Sequence, residues 1–265
     1  MPETGTTSGD DGGLSGPARA WRWAEMSALF FAVPAFVAAF IDPRRRFRPW
    51  FEAAGVEALF DAGRAAARGL IPMLLVFTIA VTVVLIRDKT FDNRRLWNWS
   101  ACRRDLPRVL GLFAVGACVM LGAAWALSSF TDVMTVRRGG EAVSAFLRLP
   151  REAPWILVFI AIGYPWLSAY PQEVLHRAFF FHRYGPLFRR RRALVAVNVA
   201  AFAWLHAPFW SLEAILLTLP GGALFAWTYL RTRSTLAAGL EHALYGWWAF
   251  FTGLGWFVFA GSIGR

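Results

Sequence analysis

Beyond residue 152 the only acids in this sequence are Glu173, Glu213 and Glu241, and all four histidines, at 176, 182, 206 and 242, lie there too. The stretches around them are strongly apolar, and an ionisable side chain at membrane depth costs about 2.5–3.5 kcal/mol on insertion scales. Such groups need a partner, a wet cavity or a function. Glu173, His206 and His242 come from three separate apolar stretches. A carboxylate and two imidazoles are what water activation requires: one base to take a proton and one donor to steady a developing oxyanion.

The spacing sorts the neighbours. Glu173, His176 and Arg177 stand at i, i+3 and i+4 and share a helix face. Pro171, placed at a first helical turn, would put Glu173 where the helix dipole favours an anion. His182 is nine residues from Glu173, about half a turn away, and beside Arg183 and Tyr184 it reads as an interface anchor. Phe202 and His206 are four apart, with Pro208 closing their helix, and His242 follows the helix start Ser234-Thr235 by about two turns, next to Glu241. The blander alternatives are an i,i+4 ion pair between Glu173 and Arg177 that only fixes a helix, and a snorkelling His206.

The elements that must carry these residues are membrane helices. Of 265 residues, 57% are hydrophobic and 17% charged, against about 25% charged in an average soluble domain. Apolar blocks of roughly 20 residues suit a hydrocarbon core of about 30 Å. The fold class expected is all-α, a polytopic transmembrane helix bundle of about seven spans. They lie near 24–41, 69–86, 107–128, 154 onward, 193–208, 212–230 and 235–259, with an eighth if the last divides at Gly253 and Gly255. Pro165 and Pro171 are expected to kink or break the fourth.

Residues 1–22 read as a disordered tail and 23–152 as N-terminal transmembrane helices. Within the latter, 49–68 is too charged to cross and suits an amphipathic helix in the interface. Residues 153–262 form the bundle with the candidate site. The net charge of +11 sits in clusters between apolar blocks rather than on a continuous basic face, which argues against a nucleic-acid partner and for a lipid bilayer. Alternate loops from the tail onward hold sixteen Lys and Arg against eleven in the opposite set, which puts the N-terminus in the cytoplasm. Cys102 lies in a basic loop and Cys118 inside an apolar span, a poor geometry for a disulfide.

The runs Gln172-Glu173-Val174-Leu175-His176-Arg177, Phe202-Ala203-Trp204-Leu205-His206 and His242-Ala243-Leu244-Tyr245-Gly246 resemble the ordered motifs EExxxR, FxxxH and HxxxN or HxxxD of the CPBP family. That family comprises the CAAX prenyl proteases of the Rce type and the bacterial Abi membrane proteins, and the similarity spans about residues 153–260. It implies an intramembrane endopeptidase of a bacterial inner membrane, acting on a membrane-associated protein or peptide. In it Glu173 and His206 activate water and His242 supports the oxyanion, with Gln172, Arg177, Phe202 and His176 in support. It also implies a glutamate-type mechanism with no metal or other cofactor. Two histidines and a carboxylate could in principle hold zinc, but the HExxH pattern is absent.

The sequence departs from the family at two places. Gln172 stands where the first acid is expected, and an amide is no general base; Gly246 stands where the motif-three amide or acid is expected. These departures motivate the alternative of a catalytically impaired member acting as an immunity or scaffold partner. Asn198 lies about 12 Å along its helix from His206 and is a poor substitute for the missing amide.

Overall fold

The computed structural model describes residues 14–42, 44–67, 69–138 and 141–258, and over these the chain is a helical bundle with one small hairpin. Thirteen α-helical segments follow in order among the described residues: α1 Gly16–Ser27, α2 Val33–Ile41, α3 Arg48–Ala53, α4 Glu57–Ala67, α5 Leu70–Arg87, α6 Trp99–Phe130, α7 Arg148–Glu152, α8 Pro154–Tyr164, α9 Tyr170–Glu173, α10 Phe180–Tyr184, α11 Arg191–Trp204, α12 Leu212–Thr232 and α13 Thr235–Thr252. Strands β1 Thr135–Arg138 and β2 Glu141–Ser144 pair antiparallel with Val136 opposite Val143, an addition to the all-α expectation. Residues 1–13 of the expected tail lie outside the described residues; from Gly16 on, that segment is helix.

Among the described residues five helical stretches are long and apolar enough to cross a membrane: Gly16–Ile41, Leu70–Arg87, Asn93–Phe130, Arg191–Phe209 and Leu212–Thr232. On α5 the large apolar side chains Ile71, Val76, Ile79, Val83 and Ile86 are exposed, a face that suits acyl chains and not water. Two further helical runs, α8 to α10 and α13, carry Glu173, His176, Arg177, Glu241 and His242. The segment expected to lie in the interface is two short helices, α3 and α4, with Phe60 buried against Phe40 and Phe51.

The chain from Pro154 to Tyr184 does not break at Pro165 or Pro171, as the sequence suggested. It stays helical through two wide π turns, Pro165–Ala169 and Val174–Phe179. In the first, the Tyr170 N–H reaches back to the Pro165 carbonyl. A proline lacks the N–H of an ordinary helical bond and its ring collides with the carbonyl four residues back; the i→i−5 turn makes room for it.

Local caps fix the helices around the site. Asn98, Ser211 and Ser234 each accept from a backbone N–H three residues on and start α6, α12 and α13. The end of α13 is set by Gly253 at φ +95°, where a Cβ would also collide with the Ala145 carbonyl of the chain after the hairpin. α13 is the central element, packed against α6, α8, α9 and α12.

Candidate active site

Residues 171–181 are buried on every side, so the helix carrying Glu173 runs through the middle of the bundle. A helix with no solvent face must satisfy every polar group internally. Here two bridges engage most of them, while Gln172 Oε1 and His176 Nε2 have no hydrogen-bond partner among the described residues.

One bridge is electrostatic. Glu173 Oε2 lies 2.9 Å from Arg177 Nε, with both side chains wholly buried. Arg177 Nη1 donates to Asn198 Oδ1 at 2.5 Å and Nη2 to the Gly222 carbonyl at 3.2 Å. Asn198 in turn donates to the His176 carbonyl at 2.6 Å. The Arg177 guanidinium also stacks over the Phe202 ring, 4.9 Å from its centre. Arg177 thus ties α9 to α11 and α12.

The other bridge holds an imidazole. His242 Nδ1 lies 3.0 Å from Glu173 Oε1, and His242 Nε2 lies 3.0 Å from the Tyr164 hydroxyl. Since the negative charge of Glu173 is matched by Arg177, a neutral His242 satisfies every atom: Nδ1–H donates to the carboxylate and Nε2 accepts from the phenol. The Phe225 ring stacks on the imidazole at 4.6 Å and 15°.

His206 and His176 are locked in the same tautomer by their own helices. Each places Nδ1 against the carbonyl four residues back, His206 on Phe202 at 3.0 Å and His176 on Gln172 at 3.1 Å. A carbonyl only accepts, so Nδ1 carries the proton and Nε2 is left with a lone pair. Neither Nε2 has a further hydrogen-bond partner among the described residues.

Glu173 and His242 are therefore in direct contact, whereas His206 bonds to neither. The common neighbour is Phe202, whose ring meets His206 at 5.5 Å, His242 at 5.5 Å and His176 at 5.3 Å, in each case edge-on. Gln172 points away from this pair, its amide donating to Ser168 Oγ at 2.9 Å. His182 lies apart, against Asp88 at 2.9 Å. Asn198, as expected, does not replace the missing motif-three amide; it belongs to the Arg177 bridge.

Two participants were not foreseen. Tyr164 reaches His242 across 78 positions of sequence, and nothing in its apolar stretch marks it except the proline that follows. Glu241 is fully buried and accepts from Thr228 Oγ1 at 2.5 Å. Thr228 accepts from Arg108 at 2.9 Å, and Arg108 pairs with Asp105, which also binds Arg231. The signal for this second polar network was a lone acid in an apolar helix beside a candidate histidine.

Among the described residues no three His, Cys, Asp or Glu side chains form a metal-ligand set. An open apolar groove lined by Ser27, Phe31, Ala32, Ala200 and Trp204 is separate from these groups.

Residues 152–248 match a family model described as type II CAAX prenyl endopeptidase Rce1-like. No curated protein and no solved structure matches the chain. The matched segment contains Glu173, Arg177, Phe202, His206 and His242. This is an integral membrane protein, and its residues 152–248 are similar to the Rce1-like CAAX protease family.

Proposed function

We propose that the protein is an intramembrane endopeptidase that hydrolyses a peptide bond of a membrane-associated protein or peptide, using Glu173, His206 and His242. The observation that carries this reading is the Glu173–His242 contact at 3.0 Å, beside a His206 whose tautomer leaves Nε2 bare. His206 Nε2 takes a proton from water as the water oxygen attacks the carbonyl carbon. The C–N bond then breaks, and the proton passes from His206 to the leaving amine nitrogen. Both oxygens of Glu173 are engaged, so it acts through His242, whose imidazole it fixes in orientation. Arg177, Phe202 and His176 form the packed wall behind it, and Gln172 helps hold the preceding turn through Ser168. The reaction uses protein groups alone, a reading supported by the protein partners that already engage Glu173 and the Nδ1 of each imidazole.

The test uses the full chain in lipid vesicles with two quenched fluorogenic peptides. One ends in a prenylated CAAX sequence and the other is held by an acyl anchor. Glu173→Gln and His206→Ala are expected to lower kcat on the order of 10²–10⁴-fold, with the variants still folded and inserted. A chelator of divalent metals is expected to leave the rate unchanged. Cleavage at the normal rate by either variant removes that residue from the mechanism, and loss of activity with the chelator, restored by zinc, overturns the metal-free chemistry.

A second reading has its own observation. Glu173 is wholly buried with both oxygens occupied, as in a static support, and Gln172 and Gly246 depart from the family motifs. On that reading the protein binds a membrane partner without cutting it, and neither peptide is cleaved by the parent chain.

A further inference from the structure

His242, Gly246 and Phe250 are four residues apart on α13 and form one strip along it. The Tyr164 ring lies along that strip. Its centre is 5.9 Å from the His242 ring at one end and 5.9 Å from the Phe250 ring at the other. Between them it crosses Gly246 so closely that a Cβ there would collide with Tyr164 Cε1, Cζ and the hydroxyl oxygen. The hydroxyl emerges from this notch 3.0 Å from His242 Nε2. Trp247 Nε1, donating to the Leu157 carbonyl at 2.9 Å, holds α8 and α13 in the register that makes the fit possible.

We infer that Tyr164 is a positioning residue of the active site, and that position 246 must be glycine because the phenol occupies the volume any side chain there would take. The missing side chain and the tyrosine are then one device. The hydroxyl belongs to a different helix, but it meets His242 on the edge opposite Glu173. With a carboxylate on Nδ1 and a phenol on Nε2, the imidazole is pinned from both sides in orientation and in tautomer. The inference deepens the peptidase reading and, for its kinetic consequences, rests on it.

Two substitutions cut the same bond in different ways. Tyr164→Phe keeps the ring in the notch and removes only the hydroxyl. Gly246→Ala keeps the hydroxyl and pushes the ring out. On the peptides above, each is expected to lower kcat on the order of 10²-fold, as loss of positioning does, with KM little changed. The double variant should be no slower than the worse single one, since a shared bond is lost only once. A readout independent of turnover is the ¹⁵N spectrum of the histidine rings in lipid nanodiscs, with His242 assigned from its loss in His242→Gln. The parent protein should show an Nδ1-protonated ring with a hydrogen-bonded Nε2, and both single variants should lose that signature.

Unchanged His242 signals in Tyr164→Phe overturn the inference whatever the activity. So does a full multiplication of the two kinetic losses in the double variant. If Glu173→Gln is inactive while Tyr164→Phe turns over like the parent, the positioning role fails and the peptidase reading survives. If the parent chain cleaves neither peptide, the peptidase reading fails, and the nitrogen spectrum alone decides whether the phenol holds His242. Should Gly246→Ala not fold, Tyr164→Phe carries both measurements by itself.

Discussion

Arg177 is the largest of the fully buried side chains, and its guanidinium is shared among Glu173, Asn198 and Gly222. Removing one partner of a buried ion pair leaves the other charge uncompensated, which costs about 3–5 kcal/mol. Arg177→Leu is therefore expected to lower unfolding stability by that much in detergent micelles. Asn198→Leu, which removes one neutral hydrogen bond to the His176 carbonyl and one from the charged Arg177, should cost about 1–3 kcal/mol. Parent-like thermal unfolding of Arg177→Leu would show that the pair contributes nothing to the fold. The face shared by Glu173, His176 and Arg177 was legible in the sequence because helical periodicity is local. Tyr164 was not, because its partner is 78 residues away and its hydroxyl gains meaning only from the notch at Gly246. Asn198 was noticed but weighed against His206, its neighbour along the helix, whereas its partner lies across the bundle.

Among the elements, the helix through Pro165 and Pro171 departed most from expectation. Proline announces a lost hydrogen bond, and a break is the ordinary outcome. A π turn has no residue signature of its own, so the sequence did not distinguish it from a break; packing is complete around the second turn, from 171 to 181, whereas Trp166 and Leu167 of the first are exposed. The same helix is fastened at its far end by the contact between His182 and Asp88, the residue that ends α5. Hydrogen bonds from the His182 ring, then from the Thr90 hydroxyl and backbone, hold the Asp88 carboxyl well below the usual carboxylate range. A depressed carboxylate stabilises the fold fully above its unfolded pKa of about 3.9 and loses that contribution as pH falls through the lower folded value. Chemical denaturation followed against pH should therefore show an acid decline below about pH 4 that is shallower in Asp88→Asn. An identical acid slope in the two proteins would remove this contact from the account. At the membrane edge after α2, Asp42 is likewise drawn down: burial pushes its carboxyl up, but the Arg46 side chain and the backbone N–H groups of Arg46 and Arg44 together outweigh it.

For the molecule as a whole, composition was enough to place the chain in a bilayer, because no soluble domain leaves so little charge between such long apolar blocks. The lipid-facing reading of α6 has a simple check. Cys102 is buried and Cys118 is exposed on a helix that is apolar enough to span. In intact vesicles neither thiol is expected to react with a charged, membrane-impermeant maleimide, and both should react once the protein is unfolded in dodecyl sulfate. Rapid modification of Cys118 in vesicles would mean that this face of α6 meets water. The small hairpin could not be anticipated, since its strands are four residues each and are held mainly by Met134, Val136 and Ala145 meeting the end of α13.

The core that surrounds the site does not respect the boundary of the matched segment. Phe30, ahead of α2, stands edge-on to His176 at 5.2 Å, and Glu25 of α1 grips Arg183 and Tyr184 beyond it. Met26, Val81 and Leu85 share one apolar cluster with Val174, Phe180 and Phe202. A transplant of residues 152–248 behind unrelated leading helices would thus arrive with an aromatic wall missing and the half-buried Arg183 without its carboxylate. The stretches around Glu25, Phe30 and Val81 act as the mould in which the motif-bearing helices set, so a substitution there must keep step with what it encloses.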